Sequence, residues 1–241
     1  MQTGNRNFKW LVPSGITLLN WVAGVFAIVT ASRGMVLESA LFILAAALFD
    51  FFDGMVARLM DAQSKVGAEL DSLADALSFG LAPSFLLYTI LLDRNADVWL
   101  LFLVFLPAAA AVLRLALYNA NHLDEQHFTG LAVPASALFF SGIVLSLALT
   151  DLPWLHRIAA YPAFWAGIVI FNGIMMLMPI RMFSLKFKQL SWAGNEITWI
   201  FLIISAVLLA VFQIIALPLV IILYIIMSLI FHVISLRNKD L

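Results

Sequence analysis

Residues 50–75 read DFFDGMVARLMDAQSKVGAELDSLAD, flanked by ALFILAAALF before Asp50 and ALSFGLAPSFLLYTILL after Asp75. An apolar run of roughly 20 residues crosses a bilayer as a helix. The stretch therefore joins two membrane helices through a short polar loop, and it leaves Asp50, Asp53, Asp71 and Asp75 near their ends. A carboxylate inside a membrane helix costs about 2.5–3.5 kcal/mol on insertion scales, so such residues face a cavity and serve a function. Asp50 and Asp53 are three apart and share one helix face, while Asp71 and Asp75 are four apart and share another. The midpoint of Asp50 and Asp75 is 62.5 and that of Asp53 and Asp71 is 62, so an antiparallel hairpin brings the counterparts to similar depths.

The rest of the chain agrees with a membrane setting. Of 241 residues, 64% are hydrophobic and 11% charged, against roughly 45–50% and 25% in soluble domains. Thirteen Lys and Arg against fourteen Asp and Glu leave a net charge of −1, with no basic field for a nucleic-acid partner. Cysteine is absent, which excludes disulfides, thiolate metal sites and cysteine nucleophiles. Apolar runs near 12–31, 36–58, 68–92, 98–118, 130–150, 160–180, 196–214 and 217–236 predict an all-α polytopic membrane protein of about eight spans. Met1–Trp10 is polar and no cleavage pattern follows it, so a cleavable signal is not expected.

Ten basic residues, Arg6, Lys9, Arg58, Lys65, Arg114, Arg181, Lys186, Lys188, Arg237 and Lys239, fall on one side of that topology. Arg33, Arg94 and Arg157 fall on the other. The asymmetry predicts both termini in the cytoplasm, and with them the acidic stretch. The expected location is the cytoplasmic (inner) membrane.

Four carboxylates in one small volume cannot all remain ionised without neutralisation. All-oxygen ligands select hard cations such as Mg²⁺ or Mn²⁺, and two ions about 3.5–4 Å apart suit a bridging phosphate. Gly54, Ala57 and Gly67 remove bulk from the same hairpin, and Arg58 supplies a permanent cation for a phosphate or an aspartate. A cation or proton pathway would use acidic residues in the same positions, and periodicity does not separate the two readings.

The motif itself is more specific. Asp50-x2-Asp53-Gly54-x2-Ala57-Arg58-x8-Gly67-x3-Asp71-x3-Asp75 resembles the signature of the CDP-alcohol phosphatidyltransferase family at all eight fixed positions. The resemblance implies a six-helix core within residues 1–181 and, in residues 182–241, a cytoplasmic loop and two additional C-terminal transmembrane helices. It implies transfer of a phosphatidyl group from a CDP-linked lipid to an alcohol with release of CMP, in a homodimer. Asp50, Asp53 and Asp71 would hold one divalent cation, and Asp50, Asp71 and Asp75 the other, with Asp75 also the general base. Gly54, Ala57, Arg58 and Gly67 would line the CDP site, joined by Thr17 and Asn20 of the first span. Ser14 stands where that family often has Asn.

The stretches Gly67 to Pro83, Arg114 to Asn119, Gly130 to Pro134 and Ser184 to Lys186 are similar to the serine-accepting branch of the family. CDP-diacylglycerol and L-serine are then the expected substrates, with Mg²⁺ or Mn²⁺ as cofactor and membrane lipids around the chain. The serine carboxylate calls for a cation on the cytoplasmic side, for which Arg114 is the first candidate and Lys186 the second. Ser78 and Asn119 are further candidate polar contacts. Inositol phosphate or glycerol phosphate as acceptor is the nearest alternative, and a cation-coupled transporter the alternative of another class.

Overall fold

The computed structural model describes residues 8–120, 129–180, 182–183, 192 and 195–237. Lys186 and the expected domain boundary at 181 lie outside the described residues, as do Arg6, Arg181, Lys188 and Lys239 of the orientation argument. Among the described residues the chain is helical and has no strand.

A 3₁₀ turn, Phe8–Trp10, leads into α1, Leu11–Ser32. Gly34, at φ 72°, ends that helix: its N–H donates to Ala31 O (2.8 Å) and the Met35 N–H to Thr30 O (3.0 Å). This paired closure satisfies orphan carbonyls and turns the chain back. Helix α2, Val36–Leu59, ends the same way at Asp61, whose φ is 48°; Asp61 N–H donates to Arg58 O and Ala62 N–H to Ala57 O. The acidic hairpin thus turns on a left-handed aspartate, Asp61, outside the group Asp50, Asp53, Asp71 and Asp75.

Ser64 then starts α3, Lys65–Asp75, by accepting the Gly67 N–H on its hydroxyl at 2.9 Å, an N-cap that satisfies one of the free donors of a new helix. Directly after Asp75 the backbone widens into a π-helical stretch, Ala76–Leu81, in which Ala82 N–H reaches back to Leu77 O. Helix α4, Ala82–Asp93, continues the span. Helices α5, Val98–Leu103, and α6, Leu106–Ala120, are separated by a short break. Proline opens α7, Val133–Leu149, α8, Pro153–Ala159, and α9, Pro162–Leu177, in first-turn positions where its missing N–H costs nothing.

Helix α1 packs along α2 and also against α3, the π-helical stretch and α4. Ala23, Ala27 and Ala31 on α1 and Ala40 and Ala46 on α2 are buried, and the Ser39 hydroxyl donates to Ala27 O at 2.8 Å. Small residues let membrane helices approach closely, which replaces the hydrophobic drive that lipid removes. Direct packing between α2 and α3 is sparse, so the acidic hairpin is splayed and α1 holds its two arms.

Helix α10, Glu196–Phe212, and α11, Ala216–Arg237, are joined by a 3₁₀ turn, Gln213–Ile215, with Gln213 at φ 48°. Hydropathy reads Glu196–Val233 as one 38-residue apolar segment. The rings of Phe201 and Tyr224 are nonetheless 5.8 Å apart, whereas a continuous helix would separate them by roughly 35 Å at 1.5 Å per residue. The segment is a hairpin. It docks on α7 where Gly142 meets Pro218: a Cβ there would stand 2.6 Å from Pro218 Cδ.

Among the described residues, five segments are long and apolar enough to cross a membrane: Leu11–Ser32, Val36–Leu59, Lys65–Asp93, Val98–Ala120 and Glu196–Val233. The pair Pro153–Ala159 and Pro162–Leu177, bent by 82°, makes a sixth if it is one span. Val133–Leu149 has only 17 residues. The sequence predicted eight spans; proline-initiated short helices and the fold at Gln213 account for the different count.

Gly24 of α1 receives the π-helical stretch, since a Cβ there would stand 2.9 Å from the Ser78 Cα and closer still to its hydroxyl. Gly15 has nothing within 4 Å of its Cβ direction. Gly24→Ala should therefore destabilise the purified chain by about 1–3 kcal/mol through overpacking. Gly15→Ala should not, in thermal unfolding followed by circular dichroism in detergent.

Candidate active site

Splaying of α2 and α3 leaves a cavity of about 230 Å³ lined by Trp10, Pro13, Ser14 and Thr17 of the first span, by Asp53, Gly54 and Ala57 of α2, and by Gly67, Ala68 and Asp71 of α3. The connecting residues Ala62, Gln63 and Ser64 close its rim. Of the residues expected to line a nucleotide site, Thr17, Gly54, Ala57 and Gly67 do border this space. Arg58 is exposed on the next turn, its guanidinium 4.0 Å from where a Gly54 Cβ would stand.

Asp50, Asp53 and Asp71 each bring one carboxylate oxygen within 4.8 Å of the others. Asp53 Oδ2 and Asp71 Oδ1 are buried without a hydrogen-bond partner among the described residues. Buried acceptors of this kind cost free energy unless something pairs with them. An all-oxygen set with free lone pairs suits a hard divalent cation, and the three aspartates can hold a metal ion. Asp75 is not one of that mutual group. It is buried, as Asp53 is, close enough to feel the charges of Asp50, Asp71 and Asp53, and its Oδ1 accepts a hydrogen bond from Asn20 Nδ2 at 3.2 Å.

Asn20 is fully buried, and its backbone carbonyl accepts from the Ser78 hydroxyl at 3.0 Å. The residue expected among nucleotide contacts thus holds Asp75 through its side chain and the π-helical stretch through its backbone. Ser78, also fully buried, is committed to this link. The Thr17 hydroxyl donates to Pro13 O at 3.1 Å. Asn119 bridges α6 to α3: its Nδ2 donates to Ser72 Oγ at 3.1 Å and to Glu69 Oε2 at 3.3 Å. Arg114, on α6, donates from Nη2 to Thr129 O at 3.5 Å and keeps a buried, unpartnered Nε among the described residues.

Trp10, Gln63, Ser64 and Ala68 join the cavity without having been singled out in the sequence. A polar residue just before Lys65 is a helix-start signal that could have found Ser64. The π-helical stretch has no such signal near it; its Ser78 packs against Gly24, 54 residues away.

Comparison with known proteins adds an independent line. The chain is similar to the CDP-diacylglycerol--serine O-phosphatidyltransferase of Mycobacterium tuberculosis, 40% identical over 141 residues that cover 56% of this chain and 49% of that one. It is similar to the protein of the same name in Bacillus subtilis, 34% identical over 127 residues, 53% of this chain and 71% of the relative. To the Helicobacter pylori protein of that name it is 29% identical over 192 residues, 77% and 76% of the two chains. The chain spans about half the length of the mycobacterial relatives it matches. The family model for CDP-alcohol phosphatidyltransferase matches residues 10–171, which include every carboxylate and cavity residue described above. With its paired aspartates converging across a splayed helix hairpin, the chain belongs to the CDP-alcohol phosphatidyltransferase family.

Proposed function

We propose that this protein transfers the phosphatidyl group of CDP-diacylglycerol to the hydroxyl of L-serine, giving phosphatidylserine and CMP. The observation that carries the proposal is the convergence of Asp50, Asp53 and Asp71 beside a cavity, with Asp75 fixed by Asn20. The names of its relatives support serine as the acceptor.

Two divalent cations, Mg²⁺ or Mn²⁺, would be held by Asp50, Asp53 and Asp71 and by Asp50, Asp71 and Asp75. When bound they supply positive charge against the pyrophosphate oxygens, the main electrostatic need in phosphoryl transfer. Gly54, Ala57 and Gly67 leave room for the nucleotide to approach the backbone, and Arg58 at the rim offers a cation to a phosphate. The serine oxygen attacks the lipid-side phosphorus, the bond from that phosphorus to the CMP oxygen breaks, and the hydroxyl proton passes to Asp75. The Asn20 amide holds Asp75 Oδ1, which leaves Oδ2 to take the proton. A positioned base of this kind contributes about 10²–10⁴-fold in rate. Arg114 is the proposed partner of the serine carboxylate.

The same reading places both termini and the cavity on the cytoplasmic face of the inner membrane. It takes residues 1–181 as the catalytic core and 182–241 as a loop with two further helices, eight spans in all. A homodimer is the proposed assembly.

Purified chain in CDP-diacylglycerol micelles should release CMP on addition of L-serine and far less with inositol phosphate or glycerol phosphate. Release with another alcohol and none with serine would overturn the acceptor. Asp75→Asn should lower turnover by at least about 10²-fold while CDP-diacylglycerol still binds, as read by equilibrium dialysis with labelled lipid nucleotide. Near-normal turnover in that variant removes Asp75 from the base role.

A further inference from the structure

A second polar cavity lies at the far end of the span that begins with the acids. From Asp75 to Arg94 the chain runs 19 residues through helix, roughly 28 Å at 1.5 Å per residue, close to the thickness of a bilayer's hydrocarbon core. Arg94, Asn95 and Asp97, between α4 and α5, there meet Ala159, Pro162 and Trp165 at the 82° bend between α8 and α9. They border a cavity of about 140 Å³, roughly ten times what a single water needs.

Its walls are built around one carbonyl. Ala159 is buried at the end of α8, and its oxygen accepts both Arg94 Nη1, at 2.7 Å, and the Nε1 of buried Trp165, at 2.8 Å. A carbonyl in the last turn of a helix has no intrahelical donor, and a cation there complements the helix dipole. The Arg94 guanidinium also stands 6.0 Å from the centre of the Trp165 ring, within range of a cation–π attraction. The guanidinium is thus held by the α8–α9 bend, yet its only hydrogen bond among the described residues is the one to Ala159, out of five N–H groups.

Asp97 stands at the start of α5 but gives that helix no side-chain cap. Its carboxylate accepts the Trp99 Nε1 at 3.3 Å, and among the described residues it makes no bond to Arg94. A fixed cation and a carboxylate with spare lone pairs therefore line one cavity without neutralising each other.

We propose that this cavity binds the headgroup of an aminophospholipid in the leaflet away from the acidic cluster, its phosphodiester on Arg94 and its ammonium on Asp97. Opposite charges held apart across a small space recognise a zwitterion: a guanidinium fork matches phosphate oxygens, and a carboxylate accepts ammonium N–H groups. Depth selects a lipid over a soluble zwitterion. Trp99, Trp154 and Tyr161, on α5, α8 and the bend, are all more than half exposed, and Trp and Tyr gather at the headgroup level of a bilayer.

The test is native mass spectrometry of the purified full chain, delipidated in detergent and titrated with dioleoyl phosphatidylethanolamine, phosphatidylglycerol or phosphatidylcholine. Phosphatidylglycerol lacks the ammonium, and the quaternary ammonium of phosphatidylcholine has no N–H to donate. The parent should bind phosphatidylethanolamine about three- to tenfold more tightly than either, the range for a partly exposed, charge-assisted contact. Asp97→Asn, nearly the same in shape, should bring phosphatidylethanolamine to the level of phosphatidylglycerol and leave phosphatidylglycerol unchanged. Arg94→Gln should weaken all three. Should Arg94→Gln fail to fold for want of its bond to Ala159, Asp97→Asn decides alone, with its helix content checked by circular dichroism. Equal affinities in the parent, or a preference that survives Asp97→Asn, overturns the proposal. Soluble phosphoethanolamine should not displace the lipid; displacement at equimolar concentration would assign the cavity to a free zwitterion and overturn the lipid.

Discussion

Closely spaced carboxylates in an apolar slab are the constraint that organises this protein. Asp50, Asp53 and Asp71 stand within 4.8 Å of one another, two of their oxygens buried without partners among the described residues. Mutual repulsion and desolvation both oppose that arrangement. A bound cation reverses the sign of the local field, so the cluster is stable in the presence of the ion it suits. Packing between α2 and α3 is sparse, which leaves room beside the acids that a close-packed hairpin would not.

Helix α1 makes the splayed hairpin possible although it carries no charged residue itself. It packs on α2 through alanines, hydrogen-bonds Asp75 through Asn20, accepts Ser78 on the Asn20 carbonyl, and opens a notch at Gly24 for the widened turn after Asp75. A π-helical stretch shifts the register of every residue that follows it, and such stretches occur frequently at functional sites. Here it begins directly after Asp75. The link from α1 sequence to site geometry is therefore packing, with one side-chain amide as the point of contact.

The sequence made the acids legible because charge inside apolar runs is costly and therefore rare, and their helical spacing put each pair on one face. Helical class followed from run length alone. The depth symmetry of residues 50–75 made convergence of the acids legible, whereas the hydrogen bond that Asn20 gives Asp75 from another helix had no signal in the sequence. Span limits were blurred because prolines start short helices and because the bend at Gln213 lies inside a continuous apolar run.

The most direct measurement is Mn²⁺ binding to the purified chain, followed by the loss of the free-ion electron paramagnetic resonance signal in the presence of CDP-diacylglycerol. The expected result is saturable binding of two ions per chain, lost when Asp50 and Asp71 are both replaced by Asn. Binding that never saturates, or that persists undiminished in the Asp50→Asn, Asp71→Asn chain, would contradict the metal-centred site.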